Sequence, residues 1–145
     1  MNCVVDASVA VKWFVDGRWA LAETDVDRAV ELLLASRRGD LGFVQPPHFM
    51  AEVAAVLARN KPRQVIEDLR DLMNLEMTCV DTAACYSRAV ELAIALDHHV
   101  FDTLYHAVAL ESEGAVLVTA DRRYFDKAAR LGAIAWLPAF TIDRQ

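Results

Sequence analysis

The sequence predicts an α/β fold, an α/β/α sandwich with a mostly parallel central sheet. Short, nearly all-apolar runs fit strands covered on both faces, and segments with apolar residues at three-and-four spacing fit helices packed against them. The two alternate along the chain, an order that calls for right-handed crossovers between parallel strands.

Residues 2–6 form the first apolar run, Asn2-Cys3-Val4-Val5-Asp6, and Ser8 is placed to cap a short helix reaching about Phe14. Gly17 breaks the pattern. A helix over 25–37 carries Val26, Ala29, Val30, Leu33 and Leu34 on one face and ends before Gly39, and 41–45 is the second strand. Pro46-Pro47 ends that strand and starts a helix over 48–60; Pro62 starts another over 63–73, and the two are expected to form a hairpin. A third short strand is expected at 77–80. Asp81 or Thr82 then caps a helix to Leu96, and Asp97-His98-His99 make a turn. A helix from Phe101 ends at Gly114, followed by the clearest buried strand, Ala115-Val116-Leu117-Val118-Thr119. Asp121 opens a last helix to Leu131, and a terminal strand is expected at 133–136.

The 145 residues suit one domain over 1–145, and 55% hydrophobic against 25% charged residues is enough to build a substantial core. No apolar run is long enough for a membrane helix and the first residues lack signal-peptide character, so a cytoplasmic protein is expected. Cys3, Cys79 and Cys85 have neither disulfide-framework nor zinc-knuckle spacing and read as free thiols. The net charge of −6 argues against a sequence-independent basic duplex binder, so any nucleic-acid contact must be local or assisted by metal.

In open parallel sheets ligands bind beyond the carboxyl ends of the strands. Four acids belong there: Asp6 ends the first strand, Glu52 lies one turn into the helix after the second, Asp102 stands at a helix start, and Asp121 follows the strand ending at Thr119. Each alone has a plain explanation as a helix-capping residue. Asp6 fits that poorly because Ser8 is available as a cap, and Glu52 interrupts the apolar face of Phe49, Met50, Val53, Val56 and Leu57. Carboxylates gathered in one cleft repel one another, so such a cluster persists mainly where a cation neutralises it. Oxygen donors without nearby Cys suit Mg2+ or Mn2+, and the matching chemistry is in-line hydrolysis of a phosphodiester. The four acids supply four of the six excess negative charges, so bound divalent ions would make the cleft attractive to phosphate despite the acidic total.

Four segments together resemble the PIN-domain family, and within it the VapC-like toxins: Val4-Val5-Asp6-Ala7-Ser8, Met50-Ala51-Glu52-Val53, Phe101-Asp102-Thr103-Leu104-Tyr105, and Thr119-Ala120-Asp121-Arg122-Arg123-Tyr124-Phe125. The resemblance implies a PIN-like fold and catalytic, metal-binding roles for Asp6, Glu52, Asp102 and Asp121. Ser8 and Thr119 would be supporting hydroxyls. It further implies Mg2+- or Mn2+-dependent cleavage of structured RNA, a homodimer, and inhibition by a cognate antitoxin of a type II toxin–antitoxin system. His98-His99 depart from the small or polar residues that relatives often carry there, which bears on cleft shape and substrate.

His106 shares a helix face with Asp102 and is a candidate for approaching substrate phosphate, against the alternative of a packed histidine; His48, four before Glu52, poses the same choice. Arg122 and Arg123, with Lys127 and Arg130, either guide RNA or form a solvated helix face, and the same holds for Arg59, Lys61 and Arg63. Trp13, Phe14 and Trp19 are read as a mixture of core and an apolar groove for an antitoxin helix. Two rivals stand beside the nuclease. A haloacid-dehalogenase-type phosphatase needs a second acid two residues after Asp6, where this chain has Ser8. A catalytically silent module of the same fold, binding protein or nucleic acid, is the other.

Overall fold

The computed structural model describes residues 1–142. Five parallel strands, β1 (Asn2–Val5), β2 (Gly42–Gln45), β3 (Met77–Cys79), β4 (Ala115–Thr119) and β5 (Ile134–Trp136), form one sheet in the order β3-β2-β1-β4-β5. The helices are α1 (Ala7–Ala10), α2 (Gly17–Ala22), α3 (Val26–Arg38), α4 (Phe49–Asn60), α5 (Val65–Met73), α6 (Ala83–Leu96), α7 (Val100–Glu111) and α8 (Arg122–Ala128). This is the α/β architecture that the alternating pattern predicts.

The central strands are the most apolar because both of their faces are covered. Val4, Val5, Leu117 and Val118 have no exposed surface, and burying a side chain of that size contributes roughly 1.5–3 kcal/mol. Helix α7 lies against β1 and β4, and every residue from Thr103 to Ala109 is buried, which explains why its sequence is apolar on nearly all sides. Helices α4 and α5 pack against one another as the expected hairpin.

Two boundaries differ from the sequence-based expectation. Gly17 does not simply interrupt the chain; at φ +50 it makes a left-handed entry into α2, a helix with no buried residue and hence no apolar stripe to announce it. Helix α7 stops at Glu111, and Gly114, at φ +68, turns the chain into β4 three residues later.

The chain leaves β1 toward β2 and β3 on one side, while β4 and β5 lie on the other. The strand order therefore reverses between β1 and β4, and a crevice opens where these neighbours end. Asp6 directly follows β1, and Thr119 closes β4.

Candidate active site

The crevice is built around Asp6. Thr119 donates its hydroxyl proton to Oδ2 and Ser8 donates to Oδ1, so both carboxylate oxygens are held from β4 and α1. The two hydroxyls are themselves oriented by backbone: Ala120 N–H donates to Ser8 Oγ at 3.1 Å and Asp121 N–H donates to Thr119 Oγ1 at 3.0 Å. With their lone pairs so engaged, their protons are directed to Asp6. Burial pushes the Asp6 carboxyl up to about 6; the hydroxyls of Ser8 and Thr119 oppose the rise, and the charge of Asp121 adds to it.

The other three acids arrive on the first turns of helices. Glu52 lies in the first turn of α4, Asp102 in that of α7, and Asp121 precedes α8, where its Oδ1 accepts from Tyr124 N–H at 3.1 Å. Asp121 thus does the capping work that any of the four might have done. Asp6, rather than the expected Ser8, holds the N-cap position of α1 but makes no side-chain cap bond there, and Glu52 and Asp102 lie inside the first turns of α4 and α7, whose cap positions belong to His48 and His99, so none of the three is a capping side chain.

Electrostatics tie the four together. Asp121 raises the Asp6 carboxyl, while burial raises Asp102, His98 opposes that rise, and the charges of Glu52 and Asp121 reinforce it. Two buried tyrosines stand among them. Tyr105 donates its hydroxyl to Glu52 Oε2 at 2.6 Å, and burial together with Glu52, Asp6 and Asp102 holds its proton far more tightly than usual. Tyr124 is likewise raised by burial, then by Asp102 and Asp6. Bonds join the pieces: Thr119 links Asp6 to the Asp121 N–H, and Tyr105 links Glu52 to α7, the helix that carries Asp102, so the four acids and both hydroxyls border one crevice.

Histidines enter in ways the sequence left open. His98 Nε2 lies 3.0 Å from Asp102 Oδ2, and ligand atoms of His98, Asp102 and Asp121 all fall within 4.8 Å of one another, a grouping that could hold a metal ion. A ring nitrogen thus stands beside the carboxylate oxygens, where the sequence predicts oxygen donors alone. No apolar periodicity or motif marks a histidine in a turn, and its role was legible only in its position four residues before Asp102. His48 Nε2 donates to Phe101 O at 2.7 Å and lies 3.2 Å from Glu52 Oε2, with its ring against Tyr105. Tyr105, inside an apolar helix, gave no sequence signal of its bond to Glu52.

His106 is not brought to the crevice. It is fully buried, one ring nitrogen bonded to Tyr124 Oη at 2.9 Å and the other to Gly132 O at 2.8 Å. Gly132 O can only accept, so Nε2 carries the hydrogen and Nδ1 accepts from the tyrosine. The basic residues divide. Arg123 lines a recess of about 290 Å3 with Asp97, His98 and His99, whereas Arg122 pairs with Asp126 at 2.9 Å and stacks on Trp136. Lys127 turns back to donate to Asp97 O at 2.8 Å.

The donor set suits a divalent cation. Among the described residues, Asp6 is largely desolvated without a cationic side chain bonded to it, and Asp102 and Asp121 stand with His98 in the one grouping close enough to share an ion, a grouping that does not include Asp6 or Glu52. Among the described residues no helix is long and apolar enough to cross a membrane. No curated protein matches the chain. A family model for the PIN domain matches residues 3–131, a span that takes in β1 to β4, α8 and all four acids. Domains of this kind are generally nucleases, often dependent on divalent metal. The crevice and its acids thus lie inside the matched region, and the chain belongs to the PIN domain family.

Proposed function

We propose that this protein is a metal-dependent endoribonuclease, the toxin of a type II toxin–antitoxin system, acting in the cytoplasm. The observation that carries the hydrolase reading is the convergence of Asp6, Glu52, Asp102 and Asp121 at the β1/β4 crevice, three of them not spent on capping. Asp6, Glu52, Asp102 and Asp121 are the proposed catalytic and metal-binding residues. Bound Mg2+ or Mn2+ would supply Lewis acidity toward a phosphodiester and lower the pKa of water.

The chain's own contribution is placement. Ser8 and Thr119 fix the Asp6 carboxylate, and Tyr105 holds Glu52. Arg123, at the rim beside His98, is placed to meet a phosphate of the RNA backbone. Arg122 is a weaker candidate because Asp126 and Trp136 occupy its guanidinium.

RNA as the substrate, the antitoxin partner and a homodimer rest on the resemblance to VapC-like toxins. A cleft of about 860 Å3, separate from the four acids, is lined by Trp13, Phe14, Leu72 and Leu75 together with charged side chains such as Arg37, Lys61 and Asp71, and this mixed apolar and charged wall is the proposed seat of an antitoxin segment. Trp19 is outside that lining; its indole donates to Glu23 at 3.2 Å.

The test is cleavage of total RNA by the purified chain, freed of partner, with Mg2+ or Mn2+, alongside Asp6→Asn. Wild type should cut and arrest growth when expressed, and the variant should do neither while still binding its partner. An intact RNA pool with both ions would leave the silent binding module as the better account.

A further inference from the structure

We propose that His98 is itself a metal ligand, making the cation site a mixed nitrogen and oxygen site that selects Mn2+ over Mg2+. The inference rests on the hydrolase reading above, in which Asp102 and Asp121 bind the ion, and adds a residue that the four-acid pattern does not contain.

Its basis is geometric. His98 lies in the turn between α6 and α7, where Asp97 adopts a left-handed conformation at φ 48. Its side chain is 7% exposed and its ring packs on Tyr124 with centroids 4.9 Å apart. A surface histidine of a solvated turn would not be enclosed in this way. The buried ring presents Nε2 to Asp102 Oδ2 at 3.0 Å, and the trio with Asp121 lies within 4.8 Å. Two donors each about 2.1 Å from an octahedral ion and at right angles are themselves about 3.0 Å apart, so the observed approach suits neighbouring ligands of one ion.

Without a cation, the same contact is a hydrogen bond, Nε2–H donating to Asp102. Coordination requires the ring hydrogen to reside on Nδ1 instead. Lys127 Nζ is only loosely associated with Nδ1, at 3.4 Å, and has its stronger bond to Asp97 O at 2.8 Å, so this tautomer costs one weak contact.

An imidazole adds no charge, so it does little for Mg2+, which prefers oxygen donors and retains its waters. A first-row transition ion gains from the nitrogen. Carboxylates without the histidine would not make that distinction so strongly.

The experiment uses the full chain stripped of metal and reloaded with Mn2+. Pulsed electron paramagnetic resonance should detect imidazole nitrogen coupled to Mn2+ in wild type and in His48→Gln, and lose it in His98→Gln. Calorimetric titration with MnCl2 and MgCl2 should show the Mn2+/Mg2+ affinity ratio falling by at least roughly tenfold in His98→Gln. The proposal is overturned by a wild-type spectrum without nitrogen coupling, by coupling that vanishes with His48, or by an unchanged ratio. If the His98 variant unfolds, coupling retained in both His48→Gln and His99→Gln still assigns the nitrogen to His98, because His106 is fully buried with both ring nitrogens bonded. Failure of wild type to bind either ion would instead remove the hydrolase reading, and this inference with it.

Discussion

The hydroxyl of Tyr105 donates to Glu52 Oε2 at 2.6 Å, joining α7 to α4 beside the crevice. Tyr105 is 1% exposed, so its ring is core while its one polar atom reaches the acids. Tyr105→Phe should keep the fold and free the Glu52 carboxylate to rotate. We expect a stability loss of about 1 kcal/mol and a larger effect on catalysis, roughly tenfold or more in kcat. Urea unfolding and single-turnover RNA cleavage measure the two separately; equal cleavage rates would show that Glu52 does not need the tyrosine.

Asp6 gives the stability of the metal-free protein a pH dependence. Its ordinary value is 3.8 and its folded value is raised to about 6. Between those values the folded chain still holds a proton that the unfolded chain has released. The stabilisation is therefore complete below about pH 3.8 and lost as pH rises through about 6, a swing of roughly 3 kcal/mol. Unfolding in chelator at pH 4.5, 5.5 and 7 should show wild type declining relative to Asp6→Asn over this interval. Adding Mn2+ at pH 7 should raise the melting temperature of wild type more than that of the variant.

His106 should matter to folding and not to RNA. It is fully buried with both nitrogens bonded, and burial lowers its pKa below 6.5. Its neutral form is the one the fold accommodates, so this group costs stability as pH falls below about 6.5, opposite in sign to Asp6. His106→Ala should lose roughly 2–4 kcal/mol through the cavity and the orphaned Tyr124 hydroxyl. Cleavage per folded molecule, measured below the melting temperature, should change little.

The two adjacent arginines should separate in RNA binding. Arg123 borders the recess beside His98, whereas Arg122 is held by Asp126 and Trp136. Arg123→Ala should weaken RNA binding by the inactive Asp6→Asn background and reduce the salt dependence by about one phosphate contact, with Arg122→Ala close to neutral. Filter binding at several salt concentrations gives both slopes. A larger effect from Arg122 would reverse the assignment.

Much of this architecture was legible because the strands are dense apolar runs with a helix after each. Ala115–Thr119 and the three-and-four spacing of α3 leave few other readings. The positions of the four acids were legible for the same reason, since topology sends strand ends to one edge. Helix α2 was not, because it buries no residue and therefore writes no periodicity. The companions of the acids were also hidden. Tyr105 reads as core and His98 as turn, and only packing at residues distant in sequence shows which atom each offers to a carboxylate. His106 was indistinguishable from a cleft residue, because sharing a helix with Asp102 does not say which neighbour its ring meets.

Thr119 reaches Asp6 across 113 positions of sequence, and β1 and β4 are adjacent strands. A ribosome-bound chain consequently has no assembled crevice until β4 has been synthesised and has paired with β1. Premature termination before β4 yields a fragment without Thr119 and Asp121, in which Asp6 has lost one of its two hydroxyl partners and the crevice is not assembled.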